Sequence, residues 1–130
     1  MFIGDFGNAA GIPGKTSLVV HIIEDDKAVA DALTIALELL NHCARTYFDG
    51  ETFMAEADLS SGHWVIVDLG LPGISGAEIV RKLNSLASPP RIIAISGKSR
   101  AKIARQVSEF EGLKVLRKPL SIDMLTAAMA

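Results

Sequence analysis

At 130 residues, 49% of them hydrophobic and 22% charged, the chain has the size and core content of one globular domain. A formal net charge of -2 and a pI near 5.9 exclude a broadly basic nucleic-acid surface, so no direct nucleic-acid binding is expected. A single cysteine, Cys43, excludes an internal disulfide; the lack of an apolar run near ~20 residues, or of a basic-then-apolar leader, points to a soluble, cytoplasmic protein without a membrane span.

Residues 1–17 are rich in glycine and small side chains and read as a flexible N-terminal tail. Within them AAGIPGKT, residues 9–16, fits a relaxed phosphate-loop pattern. That mechanism needs a strand before the loop and a helix after it. Here a strand follows, and Pro13 removes one N–H, so the match is set aside. The remaining residues, 18–130, form the expected domain.

Leu18 to Ile23 is a buried strand, apolar except for His21, which reads as a satisfied core or edge histidine. Glu24-Asp25-Asp26 follows it. Asp26 is placed to cap a helix over Ala28 to Leu40, where Val29, Leu33, Ala36, Leu37 and Leu40 recur at helical spacing. Ala44 to Phe48 is a second strand. Glu51 to Ala57 is a short helix expected to bury Phe53 and Met54.

Trp64 to Val67 is the third strand, ending in Asp68 and a Gly/Pro loop. An unpaired acid is too costly inside a sheet, so Asp68 belongs at the strand's carboxyl end. A helix from Ala77 to Leu86 stops at Ser88-Pro89-Pro90. Arg91 to Ile95 is the fourth strand, followed by Ser96-Gly97. Lys98 to Phe110 reads as a helix with Ile103, Val107 and Phe110 inward and Gln106 outward. Leu113 to Leu116 is the fifth strand, followed by Arg117-Lys118-Pro119. Ser121 caps a last helix.

Strands and helices alternate five times, and the strands are near-continuous apolar runs. That pattern marks an α/β fold with a parallel sheet covered on both faces. Right-handed crossovers make it doubly wound. Parallel strands point one way, so Glu24, Asp25, Asp68, Ser96 and Lys118 converge at one rim, where such folds bind ligands. Three close carboxylates repel unless a cation joins them, and their oxygens suit Mg2+. Asp68 is then an anionic nucleophile for a phosphoryl group. Ser96 and Lys118 would share with Mg2+ the charge on its equatorial oxygens.

Glu24-Asp25, VDLGLPGISG around Asp68, Ser96 and Lys118-Pro119 stand in an order that resembles the receiver domain of bacterial two-component response regulators. The resemblance covers Leu18 to Ala130. It implies a flavodoxin-like sheet of five strands in the order 2-1-3-4-5. It implies that Asp68 takes a phosphoryl group from a sensor histidine kinase or phosphotransfer protein. It implies Mg2+ held by Asp25 and Asp68, with Glu24 close by through water and the Gly70 carbonyl completing the site, and a cis bond before Pro119. It further implies a downstream output domain or protein outside this chain, and a homodimer through the fourth helix, fifth strand and fifth helix. Self-assisted phosphorylation and dephosphorylation, not independent enzymatic turnover, is the expected chemistry. Val115 departs from the family, which usually carries Tyr or Phe at that position.

Two other functions compete. A pseudo-receiver would keep the fold and signal by docking alone; the intact acid set argues against it. A hydrolytic phosphotransferase with an aspartate nucleophile typically needs a second carboxylate two residues on, and Gly70 stands there.

Overall fold

The computed structural model describes residues 18–59 and 62–130. The expected tail and the phosphate-loop match lie outside the described residues. Ten elements alternate: β1 (Val19–Ile23), α1 (Lys27–Leu39), β2 (Cys43–Tyr47), α2 (Gly50–Glu56), β3 (Trp64–Asp68), α3 (Gly76–Asn84), β4 (Arg91–Ser96), α4 (Arg100–Gln106), β5 (Lys114–Arg117) and α5 (Ile122–Ala128). All strand pairs are parallel, in the order β2-β1-β3-β4-β5.

Strand alternation sorts the core into two layers. Val20, Ile22, Trp64, Ile66, Ile93 and Ile95 pack with Leu33 and Leu37 of α1 and Leu125 of α5. Ile23, Val65, Val67 and Ala94 pack with Phe53 of α2 and Ile79, Val80 and Leu83 of α3. Both faces are covered, which is why β3 reads as an unbroken buried run.

Side-chain caps set the helix starts. Asp26 Oδ1 accepts from the N–H groups of Ala28 and Val29, Ser75 Oγ from Glu78, and Ser121 Oγ from Met124. Each satisfies donors that the first helical turn leaves unpaired.

Four local expectations are corrected. Helix α3 ends at Asn84, because Ser85 Oγ donates to the Lys82 carbonyl and tightens the last turn; Leu86 is then 44% exposed. Helix α4 is shorter at both ends than Lys98 to Phe110. Ser99 Oγ caps it by accepting from the Lys102 N–H, and past Val107 the chain turns so that Val107 and Phe110 pack beside Leu113 and Val115. Met54 is 41% exposed, since the short α2 buries one face, through Phe53. Gln106 does not point freely outward; its partner is described below. Cys43 is exposed on the edge strand.

Candidate functional site

The pleat explains which side chains meet. Glu24 has the parity of Val20 and Ile22, Asp68 that of Trp64 and Ile66, and Lys118 that of Leu116, all of which pack toward α1 and α5. The ladder runs past the strand ends and preserves that parity. The Glu24 N–H donates to the Tyr47 carbonyl at 3.0 Å, and the Lys118 N–H to the Ser96 carbonyl at 2.8 Å. Ile22 pairs with Ile66, so Glu24 and Asp68 end neighbouring strands side by side. Ser96 has the opposite parity, that of Ala94, and reaches the rim from the other face.

Lys118 Nζ lies 2.6 Å from Glu24 Oε1 and 3.5 Å from Asp68 Oδ2. Glu24 is fully buried and Asp68 is 5% exposed. Burial pushes the Glu24 pKa up to about 7; the hydrogen bond from Lys118 opposes that rise, and neighbouring Asp68 reinforces it. Burial alone would lower the Lys118 pKa, but its hydrogen bond to Glu24 and the charge of Asp68 outweigh burial and raise it. The ammonium therefore stays charged, a cation set against two buried acids. The second Glu24 oxygen accepts from the Asp26 N–H at 3.2 Å, tying the acidic turn to the start of α1.

Carboxylate oxygens of Glu24, Asp25 and Asp68 all lie within 4.8 Å of one another. Asp25 is exposed and faces the rim from solvent. Three hard oxygen donors with one ammonium between them leave an excess of negative charge, and that set fits a hard divalent cation such as Mg2+. The Gly70 N–H donates to Asp68 Oδ1 at 3.0 Å, which fixes the turn that carries the Gly70 carbonyl. Ser96 is 1% exposed, and its Oγ accepts from the Lys98 N–H at 3.1 Å, leaving the hydroxyl proton to donate.

Two supporting residues lie beyond the five polar residues of the rim: Gly76, which closes the VDLGLPGISG stretch, and Gln106, on the helix face that periodicity assigns to solvent. A Cβ on Gly76 would overlap the Asp68 carbonyl oxygen and lie 2.8 Å from Leu69 Cα. The start of α3 therefore rests directly on the backbone of the acid. Gln106 of α4 donates from Nε2 to the Leu69 carbonyl at 2.9 Å.

A 2-1-3-4-5 parallel sheet with acids and a lysine gathered at its carboxyl rim places the chain in the class of doubly wound, CheY-like α/β domains. The chain belongs to the response regulator receiver domain family, whose model matches residues 20–130. Among similar proteins are the tetrathionate response regulatory protein TtrR of Salmonella typhimurium, 26% identical over 85% of this chain and 53% of that protein, and the transcriptional regulatory protein FixJ of Azorhizobium caulinodans, 29% identical over 87% of this chain and 54% of that one. The chain thus spans about half the length of these curated relatives. Full-length FixJ from B. japonicum superimposes with a TM-score of 0.74 at 28% identity, over 88% of this chain and 56% of that one. A CheY-like receiver domain from Methylobacillus flagellatus does so with 0.75 at 25% identity, over 88% and 97%.

Proposed function

We propose that Asp68 is the phosphoacceptor of this receiver domain and takes a phosphoryl group from a phosphohistidine on a sensor histidine kinase or phosphotransfer protein. The observation that carries the reading is Lys118, held by its contacts with both Glu24 and Asp68. An ammonium so fixed is poised for charge that grows on the transferred group, and needs no reorganisation to meet it.

The residues divide the work as follows. A carboxylate oxygen of Asp68 forms the new bond to phosphorus as the bond from phosphorus to the histidine nitrogen breaks, and that nitrogen keeps the electron pair. Lys118 and the Ser96 hydroxyl donate to equatorial oxygens of the moving group. Glu24 holds Lys118 in place. Glu24, Asp25 and Asp68, with the Gly70 carbonyl, would hold Mg2+. When bound, that ion would neutralise the crowded acids and polarise the phosphoryl oxygens. Gly70 offers no side chain beside Asp68; a Cβ there would stand 3.5 Å from Oδ1. Position 70 therefore brings no acid–base carboxylate of its own for turnover, and the domain assists its own phosphorylation and dephosphorylation without acting as an independent enzyme.

The donor protein has a surface to approach. A groove of about 580 Å³ between α1 and the start of α5 is lined by apolar side chains and runs up to Lys118 and Pro119. Ile35 and Leu39 stand 59% and 67% exposed along it. An amphipathic helix of the donor, laid in that groove, would bring its phosphohistidine to the rim. A cytoplasmic setting suits such an exchange, and among the described residues no helix is long and apolar enough to cross a membrane. The phosphorylated domain then switches an output domain or partner outside residues 1–130, with a homodimer through α4, β5 and α5 as one form of output. The docking-only alternative finds no support, since every residue that phosphoryl transfer needs is present.

Acetyl phosphate with Mg2+ should label the chain stoichiometrically, with the label mapping to Asp68, and Asp68→Asn should abolish it. A label that survives that substitution, or the lack of any label with Mg2+ bound, would refute the reading.

A further inference from the structure

One peptide unit joins the candidate phosphoacceptor to α4. The N–H of the Leu69–Gly70 peptide donates to Asp68 Oδ1 at 3.0 Å. The carbonyl of the same peptide accepts from Gln106 Nε2 at 2.9 Å. A peptide is rigid and planar, so its two ends cannot respond separately. Leu69 is 2% exposed, and its own N–H, on the preceding peptide, is tied to the Ile95 carbonyl at 2.9 Å, while the Leu69–Gly70 plane is held by two side chains, those of Asp68 and Gln106.

We propose that Gln106 is a positioning residue that couples the state of Asp68 to α4 through the Leu69–Gly70 peptide. The inference rests on the phosphoacceptor reading of Asp68. While Asp68 is a free carboxylate, Gly70 makes a charge-assisted hydrogen bond to it, about twice as strong as a neutral one. Esterification by a phosphoryl group removes charge from Oδ1 and weakens that bond. The plane turns, its carbonyl moves, and the Gln106 carboxamide carries the displacement to the last turn of α4. Two residues ahead of α4 the Lys98 N–H is held by Ser96 Oγ, the hydroxyl assigned to the phosphoryl group. The segment that leads into α4 and the last turn of α4 are thus both hydrogen-bonded to the site. The coupling also suits a chain with Val115, partly buried against the core, at the position where the family usually carries Tyr or Phe.

The test is amide and side-chain NMR on the full chain with beryllium fluoride and Mg2+ as the probe. The wild type should shift at Leu69, Gly70 and Ser96 to Lys98, and along Arg100 to Gln106. Gln106→Met keeps the packing and loses the donor. It should still bind the probe at saturating concentration, keep the shifts at Leu69 and Gly70, and lose most of those in α4. Gln106→Glu, of the same size but lacking the donor, should do likewise. An α4 response unchanged in both variants overturns the proposal. A second arm needs no phosphoryl analogue. Asp68→Asn removes the charge while keeping the size of the side chain, and should move α4 and the Gln106 side-chain resonance when Gln106 is present, but not α4 when combined with Gln106→Met. If the probe fails to bind while this arm succeeds, the phosphoacceptor reading falls and the coupling stands.

Discussion

Acid should weaken this protein through His21. The imidazole sits on β1 with no exposure. Its Nδ1 bonds the Tyr47 hydroxyl at 3.0 Å and its Nε2 bonds His63 Nδ1 at 3.0 Å. The Phe53 ring stands edge-on at 6.1 Å. Burial lowers its pKa to about 4; His63 and Arg45 push the same way, and Asp58 opposes them. In the unfolded chain the imidazole titrates near 6.5. Above that pH both states are neutral and His21 has no pH-dependent effect. Between 6.5 and 4 the unfolded state binds a proton that the native state refuses, so stability falls with pH, and below 4 the loss is complete. At 1.36 kcal/mol per pH unit, the loss amounts to about 3 kcal/mol, a large share of the 5–15 kcal/mol typical of a domain. Trp64, the sole tryptophan, is buried and gives a fluorescence signal for urea unfolding. Stability should be measured from pH 7.5 to pH 4 for the wild type and His21→Leu. The other titrating groups are common to both chains, so their difference reports the imidazole together with its contacts to Tyr47 and His63. It should shift by about 3 kcal/mol in favour of the variant as pH falls. Parallel curves would refute the reasoning.

Further outcomes follow from the rim. Gly76→Ala forces a methyl onto the Asp68–Leu69 backbone and should cost roughly 1–3 kcal/mol in urea unfolding, with a matching loss of Mg2+ affinity; a neutral effect would mean that α3 can withdraw freely. The Glu24 pKa is raised, so its contribution is present in full below 4.5 and is lost as pH rises through about 7. Glu24→Gln should therefore gain stability over the wild type at pH 8 in chelator, with the gain gone at pH 4, as read by thermal unfolding. Lys118→Met leaves two buried acids without their cation and should cost about 3–5 kcal/mol at pH 8, less at pH 6, with much of it restored by Mg2+. A loss independent of both pH and Mg2+ would show that Lys118 acts by packing alone.

The sequence by itself determined the order of elements, the parallel sheet and the gathering of Glu24, Asp25, Asp68, Ser96 and Lys118 at one rim. Those features are local or topological: apolar runs of strand length, caps such as Asp26 and Ser121, and strands that all point one way. Only the tertiary structure decided how the rim is wired. That Lys118 touches Glu24 as well as Asp68 depends on a pleat phase shared by three separate strands, and the high Glu24 pKa depends on complete burial. Gln106 lies on the face of α4 that periodicity assigns to solvent, yet it meets a carbonyl 37 residues away. Gly76 reads in the sequence as the last residue of the loop motif, and in the structure it is a point of contact with the acid's own backbone. Periodicity reports which way a side chain faces within its own element; what stands opposite is fixed by how elements pack.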